Sequence, residues 1–247
     1  MKNLIMKTVI KINKKFIAYI RICGGGQNLF APCRGGQILP IQKQGLIDCL
    51  QKMKAVYLAA PVASVRSQAF INYLHDFCIS ELNKVGIDDN KFQILKEATI
   101  YGSHKPKDVD VAVIENINGP QIIIGIRSQM SSVSKNLLTY YEEIIGDCIS
   151  LHDRFPMAVL CYVYLLPKRP IKEGLNETVN LERAERLFER ISGRNDWRET
   201  KDKYEHFAFL KVDFQNDPPI LLDTIPLLNI NDFFDKIVKT YNDRKPL

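Results

Sequence analysis

The chain has 247 residues, 46% hydrophobic and 25% charged, with a formal net charge of +6. These values exclude a disordered or low-complexity chain and leave room for one large domain with a sizeable core. The mild basicity favours polyanionic partners such as DNA or RNA without requiring them.

No run is long and apolar enough to span a membrane. The N-terminal apolar stretch is broken by Lys11, Lys14 and Lys15, which argues against a signal peptide, so a cytoplasmic location is expected. The cysteines are Cys23, Cys33, Cys49, Cys78, Cys148 and Cys161, and none forms a CxxC pair that would spell out a zinc knuckle. Cys78, Cys148 and Cys161 lie inside apolar runs and read as small core residues of a reducing compartment.

In chain order, Thr8 to Ile22 alternates apolar and polar residues around Asn13-Lys14-Lys15, the pattern of a hairpin. Cys23 to Gly45 is rich in Gly and Pro and reads as loop; its Gly24-Gly25-Gly26 lacks the Lys-Ser/Thr of a P-loop. Ser64 can cap a helix running to Lys84, with Phe70, Tyr73, Leu74, Phe77, Cys78 and Leu82 as its apolar stripe. Strands are expected over about 92–100, 108–114 and 121–128, separated by turns at 102–106 and 116–120. A second helix covers about 132–147, and an almost wholly apolar strand, 157–165, is expected at the centre of a sheet. Beyond Pro167 the expectation is a charged helix (181–192), a strand (207–214) and a last helix (231–241).

The run Lys107-Asp108-Val109-Asp110-Val111-Ala112-Val113-Ile114 opens with carboxylates, and Gln121-Ile122-Ile123-Ile124-Gly125-Ile126-Arg127-Ser128-Gln129 ends in a polar, cationic cluster. If the two strands pair, acids and cation converge at one sheet edge. That arrangement suits a phosphodiesterase whose acids hold Mg²⁺ and whose cation steadies phosphate.

The element order α-β-β-β-α-β over Ser64 to Leu165, with Asp110 and the Ile126-Arg127 neighbourhood, resembles the PD-(D/E)xK nuclease superfamily, and within it type II restriction endonucleases. The resemblance implies an α/β restriction-endonuclease-like core over about 64–166, a mixed central sheet flanked by helices. A 1–63 extension and a 167–247 helix-strand-helix elaboration complete a single domain, 1–247. It places the first-motif Asp at Asp110, with Asp108 on the same strand face as the competing match. The acidic-x-Lys motif falls on Gly125-Ile126-Arg127, so an acid is missing and Arg replaces Lys. In some restriction enzymes a Glu of the following helix takes over, which points to Glu142 or Glu143. Gln129 shares a face with Gly125 and Arg127 and is a further candidate ligand, since an amide oxygen can bind Mg²⁺.

On this reading Asp110, Arg127 and Gln129 are the catalytic candidates. Asp110, with Asp108 or Glu142, would hold Mg²⁺. Arg127 would contact the scissile phosphate but cannot readily serve as a base. Each residue also has a structural reading: Asp108 and Asp110 as turn acids beside Lys105 or Lys107, Arg127 as a solvated strand-end cation, and Glu142, Glu143 and Glu81 as exposed helix charges. His104, His152 and His206 show no metal-ligand spacing, and Tyr140-Tyr141 are expected to pack in the core.

Lys168-Arg169-Pro170-Ile171-Lys172 is a basic run, while Arg183, Arg186 and Arg190 alternate with Glu182, Glu185 and Glu189 as in an ion-paired helix face. The turn Ser192 to Arg198 holds the only Trp and offers Arg194, Asn195 and Arg198 as DNA contacts, because Arg and Asn read guanine and adenine edges.

The expected function is Mg²⁺-dependent cleavage of double-stranded DNA by a homodimeric type II restriction enzyme with a cognate DNA methyltransferase in the same system. Gly125 and Arg127 favour a rival, a non-cleaving DNA-binding protein on the same fold. A repair or modification-dependent nuclease of the superfamily is the third reading.

Overall fold

The computed structural model describes residues 44–59, 68–87, 91–169 and 179–244. The hairpin expected at Thr8–Ile22, most of the loop expected to end at Gly45, and the Ser64 cap lie outside these residues. All described residues belong to one unit spanning 41–247.

The helices are α1 (Gln44–Ala59), α2 (Gln68–Lys84), α3 (Val133–Arg154), α4 (Leu181–Arg190) and α5 (Phe233–Arg244). The strands are β1 (Phe92–Tyr101), β2 (Pro106–Glu115), β3 (Gly119–Ser128), β4 (Val159–Pro167), β5 (His206–Asp213) and β6 (Ile220–Leu222). They form one six-stranded sheet in the order β1-β2-β3-β4-β5-β6. β1, β2 and β3 make an antiparallel meander; β3, β4 and β5 are parallel, and β6 returns antiparallel. The chain is therefore an α/β protein with a mixed open sheet flanked by helices.

Strand alternation sends side chains to two separate cores. Val111, Ile124, Val163 and Leu210 join α1, α2 and α5 on one face, while Ala112, Ile123, Tyr164 and Phe209 join α3 and α4 on the other. β4 is buried along its whole length, as its apolar run requires of a strand covered on both faces. The second core is strongly aromatic. Tyr162 stacks on Phe207 at 5.4 Å and Phe188 on Phe207 at 4.8 Å, in offset contacts worth about 0.5–1.5 kcal/mol each beyond burial.

The structure departs from expectation at three places. Gln44 and Gly45 begin α1 rather than end a loop, and Leu46, Cys49, Leu50, Met53 and Tyr57 form its buried stripe. α3 continues to Arg154, past the expected end at residue 147, because Cys148 and Leu151 extend its buried face. The helix-strand-helix elaboration expected over 167–247 carries a second short strand, and β5 and β6 together complete the central sheet. Cys49, Cys78, Cys148 and Cys161 are buried free thiols. Among the described residues no helix is long and apolar enough to cross a membrane.

Candidate functional site

β2 and β3 pair from Glu115↔Gly119 as far as Val111↔Ile124 and no further. Beyond that point β2 stays with β1 (Asp108↔Thr99) and β3 with β4 (Arg127↔Tyr164), so the two strands part in mid-sheet. Parting strips β3 of ladder acceptors, and a buried N–H needs another. Asp110 supplies it: Oδ2 accepts from the Ile126 N–H at 2.6 Å. A cleft of about 180 Å³ opens beside the seam, lined among others by Lys107, Asp108, Asp110, Gly125, Arg127 and Asp147.

Both cleft cations are anchored by α3. Arg127 donates from Nη1 to Glu143 Oε2 at 3.0 Å and lies 4.2 Å above the Tyr140 ring. Partial burial works against its charge, but Tyr162 and Glu143 more than offset this and raise its pKa. Lys107 is bonded to Asp147. Burial, together with neighbouring Lys105, lowers the Lys107 pKa, so Lys107 is the cleft cation more able to give up a proton.

Gly125 has a steric cause. A Cβ there would lie 2.5 Å from Tyr162 Cε2, and Tyr162 is itself wedged between Phe207 and Tyr204. The strand position where the resemblance calls for an acid is thus closed by an aromatic ring.

On the opposite sheet face the structure adds two residues that sequence reasoning missed. His75 of α2 is 2% exposed, and its ring nitrogens make no hydrogen bond among the described residues. Its Nε2 stands 3.3 Å from Asp110 Oδ1, and its Nδ1 stands 3.9 Å from Glu97 Oε1. Glu97 lies between the pairs Lys96↔Val111 and Ala98↔Val109, facing Asp110, with φ of 56°. A non-glycine residue in that left-handed conformation costs about 1–2 kcal/mol, and such strain collects at functional sites. His75 gave no sequence signal beyond its place beside Leu74 and Cys78 in a helical stripe.

The remaining predicted residues are placed as follows. Asp108 lines the cleft, with Oδ1 accepting from Thr99 Oγ1 at 2.7 Å across β1 and β2. Glu142 is exposed on α3, and Glu143 is the α3 acid that reaches Arg127. Gln129 is not a cleft ligand: it is 5% exposed, its Oε1 accepts from the Tyr164 hydroxyl at 2.8 Å, and its Nε2 donates to the Ser132 carbonyl. It braces the start of α3 against β4. Arg194 is not a DNA-reading side chain either. It is 1% exposed and locked to Glu205 by Nη1 at 2.5 Å. Asn195 and Arg198 are exposed and border a different cavity, with Arg198 over the Trp197 ring.

Glu81 is buried and paired with Lys84 rather than solvated. His152 is buried against Glu205, His206 bonds Thr240, and His104 is exposed near Asp153. Tyr140 and Tyr141 are half-buried. Among the described residues no three His, Cys, Asp or Glu side chains gather into a metal-holding group. Asp110, 30% exposed with one oxygen committed to Ile126, is the carboxylate at the seam that could serve an ion taking most of its shell from water and phosphate.

No family model matches this chain, and no curated protein or solved structure is similar enough to count as a match.

Proposed function

We propose that this chain is a sequence-specific endonuclease of double-stranded DNA on a restriction-endonuclease-like core, working as a type II restriction enzyme. The observation that carries the reading is the parting of β2 from β3, which puts Asp110 and Arg127 on the two banks of one cleft. The antiparallel meander followed by a helical crossover to a parallel β4 also agrees with the element order of that superfamily.

In this site Arg127 binds the scissile phosphate through the guanidinium edge that Glu143 leaves free, and Tyr140 fixes its plane. Lys107 adds positive charge beside the developing phosphorane. Asp110 is the residue that would hold Mg²⁺, which when bound lowers the pKa of its water and offsets phosphate charge. The Ile126 N–H holds Asp110 Oδ2, and the buried His75 ring stands 3.3 Å from Oδ1 and limits the space that side chain can turn into. A palindromic target calls for two copies related by a two-fold axis, so a homodimer and a cognate methyltransferase belong to the proposal.

One observation favours the second reading, a non-cleaving DNA-binding protein: the Tyr162 ring fills the place of the missing acid. Digestion of unmethylated phage DNA at low salt separates the two, run with Mg²⁺, with EDTA and with Asp110→Ala. Discrete metal-dependent fragments, absent with the variant, support the endonuclease. Intact DNA that shifts in a gel supports the binder. Intact, unshifted DNA rejects both.

A further inference from the structure

Trp197, the only tryptophan of the chain, is 42% exposed, yet its loop is held from beneath by buried charge. Arg194 donates from Nη2 to the Trp197 carbonyl at 2.5 Å while its Nη1 engages Glu205. Asp196 ties the turn: its Oδ1 accepts from the Arg198 N–H at 2.8 Å, and its carbonyl accepts from the Glu199 N–H at 3.0 Å. The indole is displayed on a rigid support, and ordering it on binding costs little further entropy.

Trp197 borders a cavity of about 630 Å³ together with Met157 and Leu227, which are also exposed apolar side chains. That volume falls in the roughly 300–1,000 Å³ range of small-ligand sites. Lys236 and Lys239 contribute positive charge to the lining, while Arg198 pairs with Asp196 at 3.4 Å. Lys239 has no ion pair among the described residues, and Lys236 pairs only with Asp232, at 2.9 Å. Of the lining acids, Glu205 is neutralised by Arg194 and Arg244, and Asp196 is engaged by its own turn. Asp243 is exposed. Asn195 adds an amide at the rim.

We propose that this cavity binds a single unstacked nucleotide. The base packs against Trp197, Met157 and Leu227, and the phosphate sits on Lys236 and Lys239. An aromatic face takes any base with little sequence preference, and lysine holds phosphate as a point charge. The nucleotide is either free or part of a strand, unstacked or turned out of a duplex. The inference does not depend on the reading of the Asp110 cleft.

Tryptophan emission of the intact protein reports this one site. The titrants are deoxyadenosine monophosphate, deoxyadenosine and a short single-stranded oligodeoxynucleotide. Saturable quenching by the monophosphate is expected, with weaker binding of the nucleoside. Lys236→Ala/Lys239→Ala should weaken the monophosphate by about tenfold or more without changing the emission of the free protein. Tighter binding of the oligonucleotide than of the monophosphate assigns the site to a strand, and the reverse order assigns it to free nucleotide. The Asp110→Ala protein should titrate like the wild type, so failure of the cleft reading leaves this result standing. No saturable change up to millimolar monophosphate, or quenching undiminished in the lysine variant, overturns the proposal.

Discussion

Two regions of this molecule use the same side chains, a carboxylate, an arginine and a histidine, in opposite ways. Around Glu205 the carboxylate is fully engaged: Arg194, Arg244, His152 and the Leu160 N–H all donate to it, and of these groups' buried side-chain atoms Arg194 Nε alone has no partner among the described residues. Burial alone would raise the Glu205 pKa, but the hydrogen bond and charge of His152 and the charges of Arg244 and Arg194 prevail and hold it at about 2. Around Asp110 the set is incomplete. One oxygen is bonded to a backbone N–H, the buried His75 ring stands at 3.3 Å, and the side chain stays 30% exposed. A saturated buried network fixes a fold, whereas unsaturated charge at an open seam is available to a ligand. The contrast separates the structural charges of this chain from those we assign to function.

The largest expected effect lies in the saturated region. Glu205→Ala strands Arg194 and Arg244 without their acid and should cost about 3–5 kcal/mol in urea unfolding. The Glu205 pKa is depressed on folding, so its contribution is complete above its ordinary 4.5 and is lost as pH falls toward 2. Glu205→Gln should therefore flatten that acid limb of the stability curve.

Next come the cleft residues. Asp110→Ala and Arg127→Ala should each slow metal-dependent cleavage by about 100-fold or more. Gly125→Ala drives a Cβ into the Tyr162 ring and should lower stability by about 1–3 kcal/mol; a neutral effect in unfolding would show that the ring yields. His75→Asn removes the ring that crowds Asp110 Oδ1 and should lower kcat about tenfold, or roughly 1.4 kcal/mol, with KM unchanged. Smallest is the exposed Lys96–Asp76 pair on β1 and α2: Lys96→Ala should change stability by no more than about 1 kcal/mol.

Much of this was legible in the sequence because it is local. The period-two runs of β2 and β3, the helical stripe of α2 and the unbroken apolar run of β4 each point to their own element. The acids before Val111 and the cation after Ile126 mark the cleft for the same reason. What sequence could not supply is partner choice across the fold. Arg194 reads as a surface contact until Glu205, across the loop, buries it. Gln129 reads as a ligand until Tyr164 of β4 takes its oxygen. Glu143 rather than Glu142 meets Arg127 because the approach from β3 into α3 sets the helix phase. His75 is invisible in a stripe until register puts Asp110 and Glu97 beside it. Gly125 reads as a lost acid, but the Tyr162 ring that demands glycine comes from the neighbouring strand.

The most direct test of the contrast measures two properties on two variants, urea stability and DNA cleavage with Mg²⁺, for Asp110→Ala and Glu205→Ala. The account predicts that Asp110→Ala stays within about 1–2 kcal/mol of wild type, having lost one hydrogen bond, and no longer cuts. It predicts that Glu205→Ala unfolds far more easily but still cuts under conditions where it is folded. A fully active Asp110→Ala protein, or a stable Glu205→Ala protein with no activity, would contradict it.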